Sequence, residues 1–534
     1  MPSDCIPFKE TGYFSALICD YLDQKETLRP FYDRFPKIEN FEGQIAEKQA
    51  SFATETREVL VTALLKQHKS VKNNSPQSLE NIKLLKDSNA FTVTTGHQLN
   101  LFTGPLYFLY KIIATINLTK ELKKAYPDQH FVPVYWMATE DHDFEEINNF
   151  NFKGKKFQWN RSSKGAVGRL TTEGLDEVFA LFSQDLGIGD NAERLKELFE
   201  NSYLAHDDLA AATRYLANEF FGEHGLVIVD GDDADLKQLF VPYVKAELTR
   251  KVSFEETSKT VDRLNQLPDD YKVQVNPREI NLFYLEAGLR ERIIENEGDF
   301  VVNDTAIRFT KQELLKTVKD HPERFSPNVI LRPLFQEVIL PNLCYIGGGG
   351  ELAYWLELKA MFEAFKVPLP MLLLRNSALI ASKKQVKKLQ KLNLPIERLF
   401  LDRHSFINRR VREISDIEID FSRQKEHLQQ QFEEMYRLAE QTDKSFIGAV
   451  KAQEVKQLKG LDALEKRLLK AQKRKLKDEI TRATDLQEQL FPFQSLQERN
   501  VNFSEMYLEY GDGLFDALFE ELRPLEGMFR VITL

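Results

Sequence analysis

Four short stretches carry residue types that can do chemistry. In Val93–Pro105, VTTGHQLNLFTGP, an apolar run ends at Thr95-Gly96, and His97 and Asn100 follow before Gly104-Pro105. Pro105 suits the first turn of a helix, whose N-terminal amides and dipole attract an anion. His97 and Asn100 add side-chain donors. In MATEDHDFEEI, residues 137–147, Thr139, Glu140, His142, Asp143 and Glu145 cluster. Carboxylates beside an imidazole can orient an amine or take its proton, or hold a metal. No second ligand group pairs with them in sequence, so no metal site is expected. In YIGGGGELAYW, Gly347–Gly350 precede Glu351 and Tyr354. Glycines there let backbone approach a ligand. The stretch is neither a P-loop, lacking Gly-Lys-Ser/Thr, nor an intact G-x-G-x-x-G with a downstream acid. In LLLRNSALIASKKQ, Arg375, Asn376, Ser377, Lys383 and Lys384 offer donors and cations to an anion.

Each stretch also has a plainer reading. His97 can cap a turn, Glu145 and Glu146 can populate the first turn of a helix, the glycines can form a tight turn, and the lysines can be an exposed face.

Strands lead into these stretches. AFTVTTG and FVPVYWMATE read as buried strands with the helical LYFLYKIIATINLTKELKKAY between them. A strand, helix and strand within about 50 residues form a βαβ unit and imply a parallel sheet. GLVIVDGDDADL is a further buried strand ending in carboxylates, and VPLPMLLLRNSALI reads as one more. Ligands of such sheets bind at the carboxyl ends of the strands, where all four stretches fall.

The fold expected is α/β: a Rossmann-like parallel core with two insertions and a C-terminal α-helical coiled coil. The segments are an N-terminal helical part packed on the core (1–90), the first part of the core (91–150), a first insertion (151–224), a core strand and helix (225–249), a second insertion (250–325), the second part of the core (326–414), an antiparallel coiled coil (415–490) and a tail packing on the body (491–534). The second insertion has short alternating runs, KVQV, NLFYL, RERII, DFVV and AIRFT, which read as antiparallel strands. The first is polar and then helical. In the coiled coil, Phe421, Leu428, Phe432, Met435 and Ala439 step at helical spacing. A turn near Gln441–Ser445 leads into a second helix carrying Val455 to Leu490.

Composition narrows the class. The chain has 534 residues, 42% hydrophobic and 29% charged, with a formal net charge of −10. At about 100–200 residues per domain, several domains are expected. No apolar run reaches the roughly 18–20 residues of a membrane span, and the N-terminus lacks the basic and apolar regions of a signal peptide. Three cysteines, Cys5, Cys19 and Cys344, show no metal or disulfide spacing, which fits a reducing cytoplasm. The acidic total argues against nucleic acid as a partner. The basic KRLLKAQKRKLKDE reads as a solvated helix face.

TTGHQLNLFTGP, WMATEDHDFEEI and GGGGELAYWLELK, in this order and before a coiled coil, resemble the BshC family, cysteine ligases of bacillithiol biosynthesis. The likeness spans essentially the whole chain. It implies a ligase that joins L-cysteine to glucosaminyl-malate through an amide, the last step of that pathway, and a homodimer formed through the coiled coil. The family core is related to class I aminoacyl-tRNA synthetases, which implies ATP or another nucleotide as cosubstrate. Their His-x-Gly-His loop aligns with His97-Gln98-Leu99-Asn100, where only the first histidine matches. Their second signature loop aligns at best with Ser382 and Lys383. From their places in the strand-end loops, His97, Glu140, His142 and Asp143 are expected to be catalytic. Substrate contacts fall to Thr95, Gly96, Asn100, Gly104, Thr139, Gly348, Gly349, Glu351, Tyr354, Arg375 and Ser377, and nucleotide contacts to Ser382 and Lys383. A second reading is a nucleotide-binding regulatory or accessory protein of thiol metabolism without ligase turnover.

Overall fold

The apolar runs leading to the candidate loops are parallel strands of one sheet in a computed structural model that describes residues 4–69, 71 and 73–534. In chain order the core strands are Ala90–His97, His130–Met137, Val227–Asp230, Asn342–Gly347 and Met371–Leu374; in space they run fifth, fourth, first, second, third. All four neighbouring pairs are parallel. The first and fourth strands lie side by side where the winding of the sheet reverses, the point at which doubly wound sheets open a crevice.

The first strand is buried at all eight positions, as a strand covered on both faces must be. One apolar cluster joins its Phe91 and Val93 and the fourth strand's Leu343 and Ile346 to Phe41 and Ile45 of helix Phe41–Ser51 and Leu118 and Leu122 of helix Tyr107–Ala125.

A buried polar network ties the same two strands together. Asn342 Oδ1 accepts from Thr92 Oγ1 at 3.2 Å and Thr94 Oγ1 at 2.9 Å, and Asn342 Nδ2 donates to Glu337 Oε1 at 2.7 Å. Lys48 Nζ completes it, 3.2 Å from Glu337 Oε2, in a pair with side chains 1% and 0% exposed.

Around the core sit an antiparallel sheet and two smaller sheets. The antiparallel sheet, in the order Arg308–Phe309, Asp299–Val302, Leu289–Asn296, Leu282–Glu286, Phe325–Pro327, comes largely from the second insertion. Lys272–Val275, expected as a strand, is irregular. The amides of Gln274 and Val275 donate to the buried Glu357 carboxylate at 2.7 and 3.4 Å instead of to a neighbouring strand.

The first insertion, expected to be polar then helical, opens on a hairpin, Asn149–Phe152 with Lys155–Gln158. Lys153 and Gly154 turn it with φ of 49° and 75°, as two-residue hairpins require.

The run VPLPMLLLRNSALI is two strands, not one. Met371–Leu374 belongs to the parallel core, and Ala378–Ala381 joins Met528–Thr533 and Asp4–Pro7 in a three-stranded sheet. Between them Arg375 and Ser377 bond Glu498 at 2.7 and 3.1 Å, so this polar link leaves the core sheet. The N-terminal segment, expected as helices, thus also supplies a strand, paired antiparallel with the C-terminal one.

The chain divides into two units, one running to Ile380 and including Gln497–Leu534, the other Ala381–Leu496. The second unit holds a helical hairpin, Ser422–Ala439 and Lys444–Lys475, with Phe432, Ala439 and Val450 in its apolar seam. Lys425 bridges the hairpin to Asp462 at 2.7 Å and Glu465 at 3.1 Å. The second helix stops at Leu476, which takes φ −99° and ψ 20°, and a separate helix covers Lys477–Leu490. No helix among the described residues is long and apolar enough to cross a membrane.

Candidate active site

A cavity of about 640 Å³ lies at the carboxyl ends of the core strands in the first unit. The first strand supplies Gly96 and His97, the second strand's loop Thr139 to His142, and the fourth strand Tyr345. Lys111, Glu351 and Tyr354 come from the helices that follow, and Phe283, Arg290 and Arg292 from the antiparallel sheet.

An ion pair in its wall is built across the switch point. Lys111 is buried in helix Tyr107–Ala125 and donates to Gly96 O at 2.6 Å and Glu351 Oε1 at 2.5 Å. Glu351 also accepts from Tyr345 Oη at 2.7 Å and Gly348 N at 3.3 Å. Burial pulls the Lys111 ammonium below its ordinary range, with Glu351 only partly opposing. Burial pushes Glu351 up, but Lys111 and the two other donors outweigh it and hold the carboxyl low. Glu351 is therefore a carboxylate at neutral pH.

The second strand's loop forms an acidic wall. Glu140 Oε1 lies 2.7 Å from Lys237 Nζ, which also holds Asp232 at 2.8 Å. Burial raises Glu140, and the Lys237 charge offsets only part of this. Asp141 has the opposite balance: burial raises it, but His142, Gln98 and the charge of Arg290 bring it well below the usual carboxylate range. Two carboxylates on adjacent residues thus have pKa values pushed apart, an arrangement suited to separate roles. His142 is exposed, and its Nδ1 lies 2.7 Å from Arg290 Nη1.

Backbone contacts fix this loop. Gly168 N donates to Thr139 O at 2.8 Å and Val167 N to Asp141 O at 2.7 Å. A Cβ on Gly168 would stand 2.6 Å from Thr139 Cβ, so only glycine permits the approach.

His97 is buried, its ring 5.3 Å from that of Tyr107 and 5.0 Å from that of Phe108. Burial first, then Lys111 and Arg375, drive its pKa well below normal, so the imidazole is neutral. Its Nε2 is buried without a hydrogen-bond partner among the described residues.

One rim of the cavity carries a proton-linked clamp. Val275, Asn276 and Arg278 line the cavity and belong to the irregular segment held by Glu357. Burial pushes the Glu357 carboxyl up to about 7, whereas an unfolded glutamate titrates near ~4.3. Its stability contribution is therefore complete below that lower value and is lost as pH rises through 7. Relative to Glu357→Gln, the wild type is expected to lose roughly 2–3 kcal/mol between pH 5 and pH 8. Urea unfolding followed by tryptophan fluorescence tests this, because Trp136, Trp159 and Trp355 all lie in the first unit. A difference between variant and wild type that is the same at both pH values would contradict it.

Of the residues singled out from sequence, Gly96, His97, Thr139, Glu140, His142, Glu351 and Tyr354 meet at this cavity. The others have different positions. Thr95 Oγ1 donates to Ile346 O at 2.7 Å inside the sheet. Asn100 Nδ2 donates to Glu146 O at 3.1 Å. Gly104, at φ 62° and ψ −133°, has Asn100 where a Cβ would sit. Asp143 is exposed and caps helix Phe144–Ile147 through the amide of Glu146, so its neighbour Asp141 takes the place in the wall. Gly348 and Gly349 start helix Gly349–Leu356 and do not line the cavity. Arg375 and Ser377 are buried on Glu498, which leaves the guanidinium a structural partner. Ser382 and Lys383 belong to the second unit, where the Ser382 hydroxyl caps helix Lys383–Lys391.

Sequence reading missed Lys111, Asp141, Arg290 and Arg332. Lys111 and Arg332 each carried one signal, a lone cation in an apolar run, FLYKIIA and VILRPLF.

Comparison with known proteins bears on the whole chain. Residues 1–376 match the family model "Bacillithiol biosynthesis BshC, N-terminal Rossmann-like domain", and residues 378–534 match "Bacillithiol biosynthesis BshC, C-terminal coiled-coil domain". Two similar curated relatives are both named "Putative cysteine ligase BshC". The one from Christiangramia forsetii is 61% identical, covering 100% of this chain and 99% of the relative. The one from Flavobacterium johnsoniae is 59% identical and covers 100% of both.

Proposed function

Because the chain belongs to the BshC family of bacillithiol biosynthesis, we propose that it is a carbon–nitrogen ligase joining the carboxyl of L-cysteine to the amine of glucosaminyl-malate. One observation carries the reading. One cavity at the switch point is lined by carboxylates, Glu140, Asp141 and Glu351, and by guanidinium groups, Arg290 and Arg332. Such a space suits substrates that bring an amine and several carboxylates together.

Amide formation from a carboxylate and an ammonium ion is uphill in water, so the carboxylate needs an activating group. That activation would come from a nucleotide, ATP or another, whose phosphate would leave with the carboxylate oxygen. The residues here handle the amine. Asp141, held ionised, orients the ammonium group, and Glu140, whose raised pKa suits a base, takes its proton before nitrogen attacks the acyl carbon. His97, neutral and buried, and Gly96 border the reacting groups. Lys111 fixes Glu351, and Tyr354 adds a hydroxyl to the same wall.

We read the coiled coil as the homodimer contact. Met435, Leu438, Phe446, Val455 and Leu464 expose apolar side chains along it. The reading places the reaction in the cytoplasm, with small molecules as partners.

Purified protein incubated with glucosaminyl-malate, cysteine and candidate nucleotides, followed by mass spectrometry, tests the reading. The amide product is expected together with one nucleotide cleaved per amide. A nucleotide bound but never consumed would support a regulatory or accessory protein instead.

A further inference from the structure

The cations around the cavity are not equivalent. Lys111 is taken by Glu351 and Gly96 O, Lys237 by Glu140 and Asp232, and Arg290 by His142 and Ser326. Arg332, in helix Leu331–Ile339, differs. Its Nη1 donates to Gln336 Oε1 at 3.1 Å, and the Tyr354 side chain lies near the guanidinium. Its Nη2 is buried and has no hydrogen-bond partner among the described residues. A guanidinium cannot shed its proton, and a buried donor left unpaired is costly. The group is held in place all the same, its Cζ 5.9 Å from the Trp136 ring and 5.6 Å from the Tyr345 ring, both of which line the cavity. Gly96 adjoins it: a Cβ there would lie 3.8 Å from Arg332 Nη1 and 3.1 Å from Tyr345 Oη. His97, the next residue, brings the other unpartnered buried nitrogen of this wall.

We propose that Arg332 is the specificity-determining anchor for a carboxylate of the acceptor substrate. This rests on the ligase reading. The choice of carboxylate follows from the chemistry. The cysteine carboxylate loses an oxygen and its charge when the amide forms, so a fixed guanidinium on it would oppose the reaction. The malyl carboxylates pass through unchanged and can keep a permanent counter-charge. An unpaired guanidinium edge matches a carboxylate in a planar, forked geometry.

Isothermal titration of the full chain tests this, with three ligands: glucosaminyl-malate, methyl glucosaminide, which keeps the sugar amine but has no carboxylate, and cysteine. Arg332→Gln is expected to weaken glucosaminyl-malate binding about 10- to 100-fold. Arg332→Lys keeps the charge but not the fork and should fall between. Binding of methyl glucosaminide and cysteine should not change. Undiminished glucosaminyl-malate binding by Arg332→Gln would overturn the proposal. Equal losses for all three ligands would also overturn it, marking Arg332 as structural. A wild type that does not bind glucosaminyl-malate would instead defeat the ligase reading itself.

Discussion

Glu140→Gln is expected to lower the turnover of amide formation about a hundred- to ten-thousand-fold, the range of a lost general base. The substitution keeps the shape of the side chain and removes only its ability to take a proton. The fold should survive, because Lys237 retains Asp232 at 2.8 Å and the carbonyl of Glu323 at 3.1 Å. The loss should therefore appear in kcat, with the KM for glucosaminyl-malate little changed. Product formation measured at saturating substrates gives the answer. A kcat within a few-fold of wild type would remove Glu140 from the role of base and leave it as a partner of Lys237.

The largest effect on stability is expected at Lys48→Met. Lys48 is the only cation that the structure pairs with Glu337 among the described residues, and the pair is sealed from water at 1% and 0% exposure. Burial already raises the Glu337 carboxyl, with the Lys48 charge the first of the opposing influences. Methionine fills most of the space but leaves that carboxylate without its counter-charge. Removing one member of a buried pair typically costs about 3–5 kcal/mol. Denaturant unfolding followed by tryptophan fluorescence reads this directly, since all three tryptophans are in the same unit as the pair. The double variant Lys48→Met/Glu337→Gln should recover a large part of the loss, because an unpaired buried charge costs more than a neutral amide with partners. A single variant as stable as wild type would show that Glu337 binds a proton rather than needing the lysine.

Some of the fold could be read because burial writes itself into local pattern. A strand covered on both faces must be apolar along its length, so AFTVTTG, FVPVYWM and GLVIVD stood out one by one. The helix between two of them supplies the long crossover that parallel pairing needs. The helical hairpin showed through the period of Leu428, Phe432 and Ala439. Other elements carried no such signature. Ala378–Ala381 is as apolar as the core strand before it, and only the burial of Arg375 against Glu498, more than a hundred residues away in sequence, turns it into another sheet. Lys272–Val275 alternates like a strand, but a single buried carboxylate claims its amides.

The candidate site divides along the same line. Local pattern alone puts the loops of His97, Glu140 and Glu351 after buried strands, and parallel pairing brings the carboxyl ends of such strands to one edge. It also carried the family likeness, which the matches over residues 1–376 and 378–534 bear out. Which side chains line the cavity depends on contacts between distant parts of the chain. Asp141 and Asp143 are two residues apart with the same chemistry, yet one lies in the wall and the other caps a helix. Lys111 and Arg332 sat in apolar runs that gave no hint of a shared destination, and the switch point of the sheet brings both to the same space. The physical reason is the range of the forces. Burial and periodicity act on neighbours in the chain and leave a local pattern, whereas the pairing of a buried charge depends on whatever the fold brings beside it.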